Sequence, residues 1–149
     1  MSQNAKEKEV ITVIRQMEGA ENNAFVTKIL LNIFEDVILN NPGHKDYQYD
    51  VMMGALLEIN KNTFAEYEQH MLLPEEDQDY LLSGALSAQE NFYHVLNMAY
   101  ADELAVSLEE RIQMVRDVMN EQIQEVEDLV AEPLAEIRAA IEKQKGTQS

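Results

Sequence analysis

Residues 104–143 decide the fold, and they read LAVSLEERIQMVRDVMNEQIQEVEDLVAEPLAEIRAAIEK. Their apolar side chains recur with a period of 11 residues, in three columns. The columns are Leu104, Val115, Val126 and Ile137; Leu108, Met119, Val130 and Ile141; and Ile112, Ile123 and Leu134. Since an 11-residue repeat averages about 3.67 residues per turn, the columns share one face of a nearly straight helix. We therefore predict a long C-terminal helix over residues 104–145, with an apolar seam along one side.

Pro133 falls inside this pattern. A proline in a helix interior removes one backbone hydrogen bond, here to the carbonyl of Leu129, and costs about 3 kcal/mol in a straight helix. The apolar period nevertheless continues in phase through Leu134 and Ile137. We therefore predict a kinked but continuous helix. The alternative is a break, with Pro133 as the first residue of a new short helix.

The apolar seam needs a partner, because a helix buries such a stripe against another element. Two interpretations stay open. In the first, the seam packs on the chain's own helices. In the second, its distal part pairs with a second copy as a coiled coil, which makes a homodimer. The residues of this predicted self-association seam are Val115, Met119, Ile123, Val126, Val130, Leu134, Ile137 and Ile141.

Shorter amphipathic helices are predicted upstream, where apolar residues recur every three or four positions. Gly19 is expected to stop the first helix, and the turn residues from Asn40 to Gly43 are expected to end the second. The predicted helices cover residues 7–18, 23–39 and 46–60, a short stretch from Thr63, and one or two further stretches after Pro74.

Three residue pairs match the capping box, in which a Ser or Thr and a Glu three residues later each satisfy a free backbone N–H at a helix start. The pairs are Thr63 with Glu66, Ser87 with Glu90, and Ser107 with Glu110. We expect a helix to begin at each pair. Alternatively, Ser83 and Gly84 are only a weak point within one longer helix around the second pair.

The composition favours an all-α fold, a helical bundle of six to seven helices with a long, kinked C-terminal helix. Only five Gly and three Pro occur in 149 residues, which argues against a turn-rich all-β fold. We assign residues 1–103 to an acidic helical bundle, residues 104–145 to the long helix that packs on the bundle or dimerises, and residues 146–149 to a tail.

The absence of cysteine excludes disulfides, thiolate metal sites and cysteine nucleophiles. The N-terminal residues are polar, and no apolar run approaches the 18 residues typical of a membrane span. We therefore expect a cytoplasmic protein with no secretion signal and no membrane association.

The net charge of −17 is unevenly distributed. Residues 46–102 carry eleven acids and one base, Lys61, whereas residues 1–45 carry six acids and five bases. Such a field repels nucleic acid and anionic membranes and attracts basic surfaces. We therefore predict a protein partner with a basic surface and no direct binding of nucleic acid. The predicted partner-binding acids are Asp46, Asp50, Glu58, Glu66, Glu68, Glu75, Glu76, Asp77, Asp79, Glu110, Asp117, Glu121, Glu125, Asp128, Glu132 and Glu136.

The last seven of these acids form a stripe opposite the apolar seam. The simplest interpretation is a solvated helix face, and the functional one is a docking surface. A DNA mimic is one version of the second interpretation. Since duplex DNA carries one charge per about 1.7 Å and one acid per helical turn gives one per about 5.4 Å, this stripe is about three times too sparse alone. It would need the acids of residues 46–102 beside it, or a second subunit.

Two Glu–His pairs at a spacing of four residues are weak candidates for metal ligands. They are Glu66 with His70 and Glu90 with His94. Di-iron helical bundles use Glu-x-x-His instead, with further inward glutamates, and this sequence lacks that pattern. No phosphate-binding glycine loop, nucleophile elbow or zinc-protease motif occurs. We therefore predict no metal or other cofactor and no catalytic residues.

These features predict a non-enzymatic inhibitor or regulator that engages a basic, potentially nucleic-acid-binding surface of another protein. One alternative is a secretion-type chaperone or adaptor that binds apolar segments through a Met-rich groove. The methionines considered for that groove, which also fit a core at helical spacing, are Met52, Met53, Met71, Met98, Met114 and Met119. Another alternative is a carboxylate and histidine metal-binding bundle.

Overall fold

The computed structural model describes residues 2–74 and 80–148, and it contains four helices and no strand in these two ranges. The helices are α1 (Ser2–Asn40), α2 (Lys45–His70), α3 (Leu81–Ala99) and α4 (Leu108–Gln148). The predicted all-α class is confirmed. The predicted number of six to seven helices is wrong, because several expected helix ends lie inside longer helices.

Gly19 does not stop a helix, and α1 continues through it to Asn40. Gly19 serves a tertiary contact instead, because it lies where α1 crosses α3 at Gly84. A β-carbon on Gly84 would overlap the carbonyl oxygen of Gly19, and a β-carbon on Gly19 would lie 2.5 Å from Cβ of Tyr80. Two amides also join the helices at this crossing. Asn22 donates to the carbonyl of Leu81 at 2.8 Å, and Asn23 donates to the carbonyl of Gly84 at 3.2 Å.

Two of the three predicted capping boxes are wrong. Thr63 lies inside α2, where its hydroxyl donates to the carbonyl of Ile59 at 2.9 Å. Ser87 lies inside α3, so the alternative of one longer helix through Ser83 and Gly84 is confirmed. The Ser half of the third capping box is confirmed. The backbone N–H of Glu110 donates to the Ser107 hydroxyl at 3.1 Å, and α4 begins at Leu108, directly after Ser107.

Helix α4 is continuous through Pro133, as predicted over a break. It begins at Leu108 rather than at residue 104, and it extends to Gln148, into the residues for which a tail was expected. The predicted bend at Pro133 stays a prediction.

The core lies mainly between α1, α3 and α4, and α2 packs against α3 and α1. The rings of Phe34 and Phe92 meet edge to face with centroids 6.0 Å apart, and Phe34 meets Tyr100 in the same way at 6.2 Å. The Tyr100 hydroxyl donates to the side-chain oxygen of the buried Gln48 at 3.1 Å. This bond ties the end of α3 to the start of α2 within the core.

Arg111 is a buried cation in the first turns of α4. Its guanidinium donates to the carbonyls of Ala99 at 2.9 Å and Ala101 at 2.8 Å, and also to the carbonyl of Leu104. Arginine suits this position because its planar group presents several donors in a fixed arrangement. The side chain therefore satisfies carbonyls at the end of α3 and fixes the connection between α3 and α4.

Helices α1 and α4 are antiparallel, and three ion pairs join them among the side chains that the structure describes. Arg138 contacts Glu21 at 3.3 Å, Lys28 contacts Glu127, and Arg116 contacts Glu35 at 3.4 Å. The paired positions step by seven residues along α1 and by eleven residues, in reverse order, along α4. Since each side chain is partly exposed, we expect at most about 1 kcal/mol from each pair.

Candidate binding surfaces

Seven carboxylates form a continuous stripe on the solvent side of α4. All seven side chains are exposed, and they are Glu110, Asp117, Glu121, Glu125, Asp128, Glu132 and Glu136. The opposite side of the helix is buried in the chain's own core. Its buried seam residues are Val115, Met119, Ile123, Val130 and Leu134. Helix α4 therefore presents one apolar face to the bundle and one acidic face to solvent.

The distal part of the seam is less covered by the chain itself. Val126 and Ile137 are half-buried, and Ile141 is exposed. Self-association of this seam stays a prediction, and within a single chain these distal residues are the ones that remain accessible to a second copy.

The three arginines of α4 point the other way from its acids. Arg111 is buried at the connection with α3, and Arg116 and Arg138 pair with glutamates on α1. Among the described residues, none of the seven stripe carboxylates takes part in an ion pair with another helix. Asp117 and Asp128 accept hydrogen bonds from Gln113 at 2.7 Å and Gln124 at 2.8 Å, which are neutral neighbours on the same helix. Ion pairs with other helices therefore do not offset the charge of the stripe.

The other predicted partner-binding acids fall into two groups. Five are exposed on α2, namely Asp46, Asp50, Glu58, Glu66 and Glu68. The remaining four, Glu75, Glu76, Asp77 and Asp79, lie outside the described residues. Helix α2 packs on α3 and α1, so these five acids lie on a different helix from the stripe on α4.

An apolar groove of about 460 Å³ runs between α2 and α3. It is lined by Leu56, Leu57, Asn60, Phe64, Leu86, Gln89, Glu90 and Tyr93. Three of its apolar side chains are well exposed, with 55% of Leu57, 48% of Phe64 and 41% of Tyr93 accessible. The helical spacing of apolar residues on α2 predicts that Leu57 and Phe64 face the core, and the structure exposes both instead. Adjacency of Leu56 and Leu57 does not reveal the groove, because the adjacent pair Met52 and Met53 on the same helix is buried.

Two of the three polar side chains that line the groove, Asn60 and Gln89, are hydrogen-bonded to each other. Asn60 donates to the side-chain oxygen of Gln89 at 3.0 Å, and Gln89 donates to the Thr63 hydroxyl at 3.0 Å. Within the described residues no buried side-chain nitrogen or oxygen lacks a partner. Asn60 and Gln89 therefore need no hydrogen bond from a bound molecule.

Methionine does not line this groove. Met52, Met53 and Met119 are buried in the core, Met114 is half-buried, and Met71 and Met98 are exposed. The methionines therefore act mainly as core residues, which matches the simpler of the two interpretations of their spacing.

The two Glu–His pairs remain surface features. Nε2 of His94 lies 3.7 Å from Oε1 of Glu90, and both side chains are exposed. Glu66 is exposed and His70 is half-buried on the last turn of α2. Across the described part of the chain, no three His, Asp or Glu side chains converge in a group that could hold a metal ion.

Two titratable groups near the core are shifted by their surroundings. Burial raises the pKa of Tyr100 to about 12, partly offset by the positive charge of Arg111. The hydrogen bond and the charge from Lys45, 2.9 Å away, lower the pKa of the exposed Asp102. Both groups join helices, and neither lies in a cleft with a second reactive side chain.

Within residues 2–74 and 80–148, no helix combines the length and apolar character that a bilayer crossing requires. No family model, no curated protein and no solved structure matches this chain. The acidic stripe and the apolar groove are therefore the features from which a function can be argued.

Proposed function

We propose that the protein is a non-enzymatic inhibitor or regulator that engages a basic surface of a partner protein through the acidic stripe of α4. The observation that carries this proposal is the segregation of charge on α4. Its arginines face the bundle or pair with α1, and its seven stripe carboxylates face solvent without ion pairs to other helices. Such a surface steers and selects partners of opposite charge.

The spacing of the carboxylates suits a protein surface better than a nucleic-acid channel. From Glu110 to Glu136 the helix rises about 39 Å at 1.5 Å per residue, which gives one stripe charge per about 6 Å. Duplex DNA carries one per about 1.7 Å. The DNA-mimic version of the proposal therefore requires the acids of α2, or those of a second copy, to reach the same partner.

The experiment is a capture from cell lysate at low and high salt, with two matched variants. The first neutralises the stripe through Glu121→Gln, Glu125→Gln, Asp128→Asn and Glu132→Gln. The second, a control with the same change in charge, neutralises four acids outside the stripe, α2 and α3, through Glu9→Gln, Glu18→Gln, Asp36→Asn and Glu103→Gln. We expect one partner to be retained at low salt, lost at high salt, lost by the stripe variant and kept by the control. Equal capture by both variants, or no partner at either salt, would contradict the proposal.

A second candidate function is an adaptor or chaperone that binds apolar segments. The groove between α2 and α3, with Leu57, Phe64 and Tyr93 exposed, favours it. Binding by apolar contact alone survives added salt, whereas capture by the acidic stripe does not. The same capture experiment therefore separates the two functions.

The proposal extends to assembly and location. We propose that the protein acts in the cytoplasm and that two copies associate through the distal seam of α4, where Ile137 is half-buried and Ile141 is exposed.

A further inference from the structure

The apolar groove between α2 and α3 has a defined length and chemistry. Its apolar walls run from Leu57 to Phe64 on α2 and from Leu86 to Tyr93 on α3, a step of seven residues in each case. At 1.5 Å per residue each wall is about 10 Å long, or two helical turns. Its volume of about 460 Å³ falls within the range of roughly 300–1,000 Å³ typical of binding sites.

The two helices that form the groove carry a net negative charge. They carry six acids, five on α2 and Glu90 on α3, against two lysines, Lys45 and Lys61. Glu90 lines the groove itself and is exposed. An apolar segment flanked by Lys or Arg therefore gains both burial and electrostatic attraction there.

A second copy of this chain is a poor occupant of the groove, because the copy carries the same negative charge. Pairing two such faces would bring together two pairs of helices that each carry six acids and two lysines, and like charges facing each other across an interface are unfavourable. An anionic segment is disfavoured in the same way.

We propose that the α2–α3 groove is the docking site for a basic amphipathic helix of the partner protein. Apolar side chains at positions i, i+3 or i+4, and i+7 of that helix fill the two-turn groove, and its Lys or Arg residues face the acids around it. This inference rests on the proposed function, to which it adds the class of the partner segment. The stripe on α4 attracts the partner, and the groove on α2 and α3 anchors it.

The test uses a labelled peptide of leucine and lysine, about 18 residues or five turns long, with leucines spaced three and four residues apart. One control peptide has the same composition with leucines at alternate positions, and another replaces lysine with glutamate. We expect the amphipathic basic peptide to bind, with a decrease in affinity at high salt, and both controls to bind at least about tenfold more weakly. In two-dimensional amide NMR of the intact chain, we expect shifts centred on Leu57, Phe64, Leu86 and Tyr93.

Matched variants then locate the site. Leu57→Ser and Tyr93→Ser remove groove contacts, and each should weaken binding by about tenfold, the effect of losing one buried apolar side chain. Leu39→Ser and Leu129→Ser are the controls, because Leu39 is 76% and Leu129 is 73% exposed at other surfaces. These two should bind as the unaltered protein does. Because all four positions are exposed, circular dichroism should show unchanged helix content.

The outcomes separate the two proposals. Salt-sensitive binding that is unaffected by Leu57→Ser, with shifts along α4, overturns the groove assignment and leaves the acidic-binder function standing. No binding of any basic peptide at low salt overturns both. A dimer of the intact chain that Leu57→Ser converts to monomer assigns the groove to a second copy and overturns this inference. If a groove variant unfolds, the position of the NMR shifts in the unaltered protein decides.

Discussion

Gly84 of α3 lies against the carbonyl of Gly19 of α1, so that the two backbones touch where these helices cross. Replacing Gly84 by alanine would force the helices apart, since a β-carbon there overlaps rigid backbone. Overpacking of this kind costs about 1–3 kcal/mol. We expect Gly84→Ala to lower the free energy of unfolding by at least that much, measured by urea denaturation.

Gly54 provides the matched control. It lies inside α2, and a β-carbon there would meet nothing within 4 Å. Since glycine in a helix interior is less favourable than alanine by about 0.5–1 kcal/mol, Gly54→Ala should stabilise the protein by that amount. Equal effects of the two substitutions would contradict the close crossing.

Arg111 should be required for the stability of the α3–α4 connection. Replacing it by methionine removes hydrogen bonds to three backbone carbonyls. Each bond to a charged group contributes about 1.5–3 kcal/mol, and water entering the site would satisfy part of the loss. We therefore expect Arg111→Met to cost about 2–4 kcal/mol in a denaturant titration.

Two comparisons sharpen this prediction. Arg111→Lys keeps the charge but not the planar arrangement of donors, so it should recover only part of the stability. Arg138→Met removes a partly exposed ion pair with Glu21 and should cost less than about 1 kcal/mol. A cost for Arg111→Met no larger than that for Arg138→Met would refute the proposed role.

Stability should fall at high pH because of Tyr100. Burial raises its pKa to about 12 from the ordinary value of 10.0. Between these values the unfolded chain releases the phenolic proton while the folded chain keeps it, so rising pH favours unfolding. The contribution of this group is complete below pH 10 and is lost as pH rises toward 12.

The measurement is the free energy of unfolding from pH 8 to pH 12, combined with ultraviolet titration of the six tyrosines. Tyr100→Phe should give a shallower decline with pH than the unaltered protein, and it should remove the latest-titrating phenol. An unchanged slope in that variant would show that other groups cause the decline.

The distal seam of α4 should mediate the proposed homodimer. We expect the intact chain, 17.1 kDa as a monomer, to sediment at twice that mass. Ile137→Glu with Ile141→Glu should give a monomer, because two buried carboxylates in an apolar interface are costly. A monomeric unaltered protein, or a variant that remains dimeric, would exclude this interface. Truncation after Ala131 provides a further check on the same seam.

The long C-terminal helix could be predicted from sequence because its pattern is local and repeated. Each signal depends only on residues of the helix itself. As predicted, Met119 and Val130 of one column are buried, and Ser107 caps the start of the helix. Gly19 could not be predicted in this way. Its local meaning is a helix stop, and its role in the fold depends on the close approach of Gly84 from another helix.

The candidate sites show the same division. The α4 acids are exposed because they lie opposite an apolar seam, and this exposure could be predicted from the sequence. The groove depends on which residues of α2 are left uncovered by α3, and Leu57 and Phe64 look like core residues when only their own helix is considered. The Thr63 capping match was misleading because its hydroxyl binds a carbonyl in its own helix instead.

The three ion pairs between α1 and α4 also determine the register in which these helices pack. Their charges alternate along each helix, from Glu21 through Lys28 to Glu35 on α1, and from Arg138 through Glu127 to Arg116 on α4. If one helix slid along the other until each charge of α1 faced the next charge of α4, Glu21 would lie opposite Glu127 and Lys28 would lie opposite Arg116. Like charges facing each other are repulsive, so the pairs discriminate against slipped alignments that the repetitive apolar seam alone would tolerate. Contacts that add little to stability can in this way specify a single alignment of two helices that are 39 and 41 residues long.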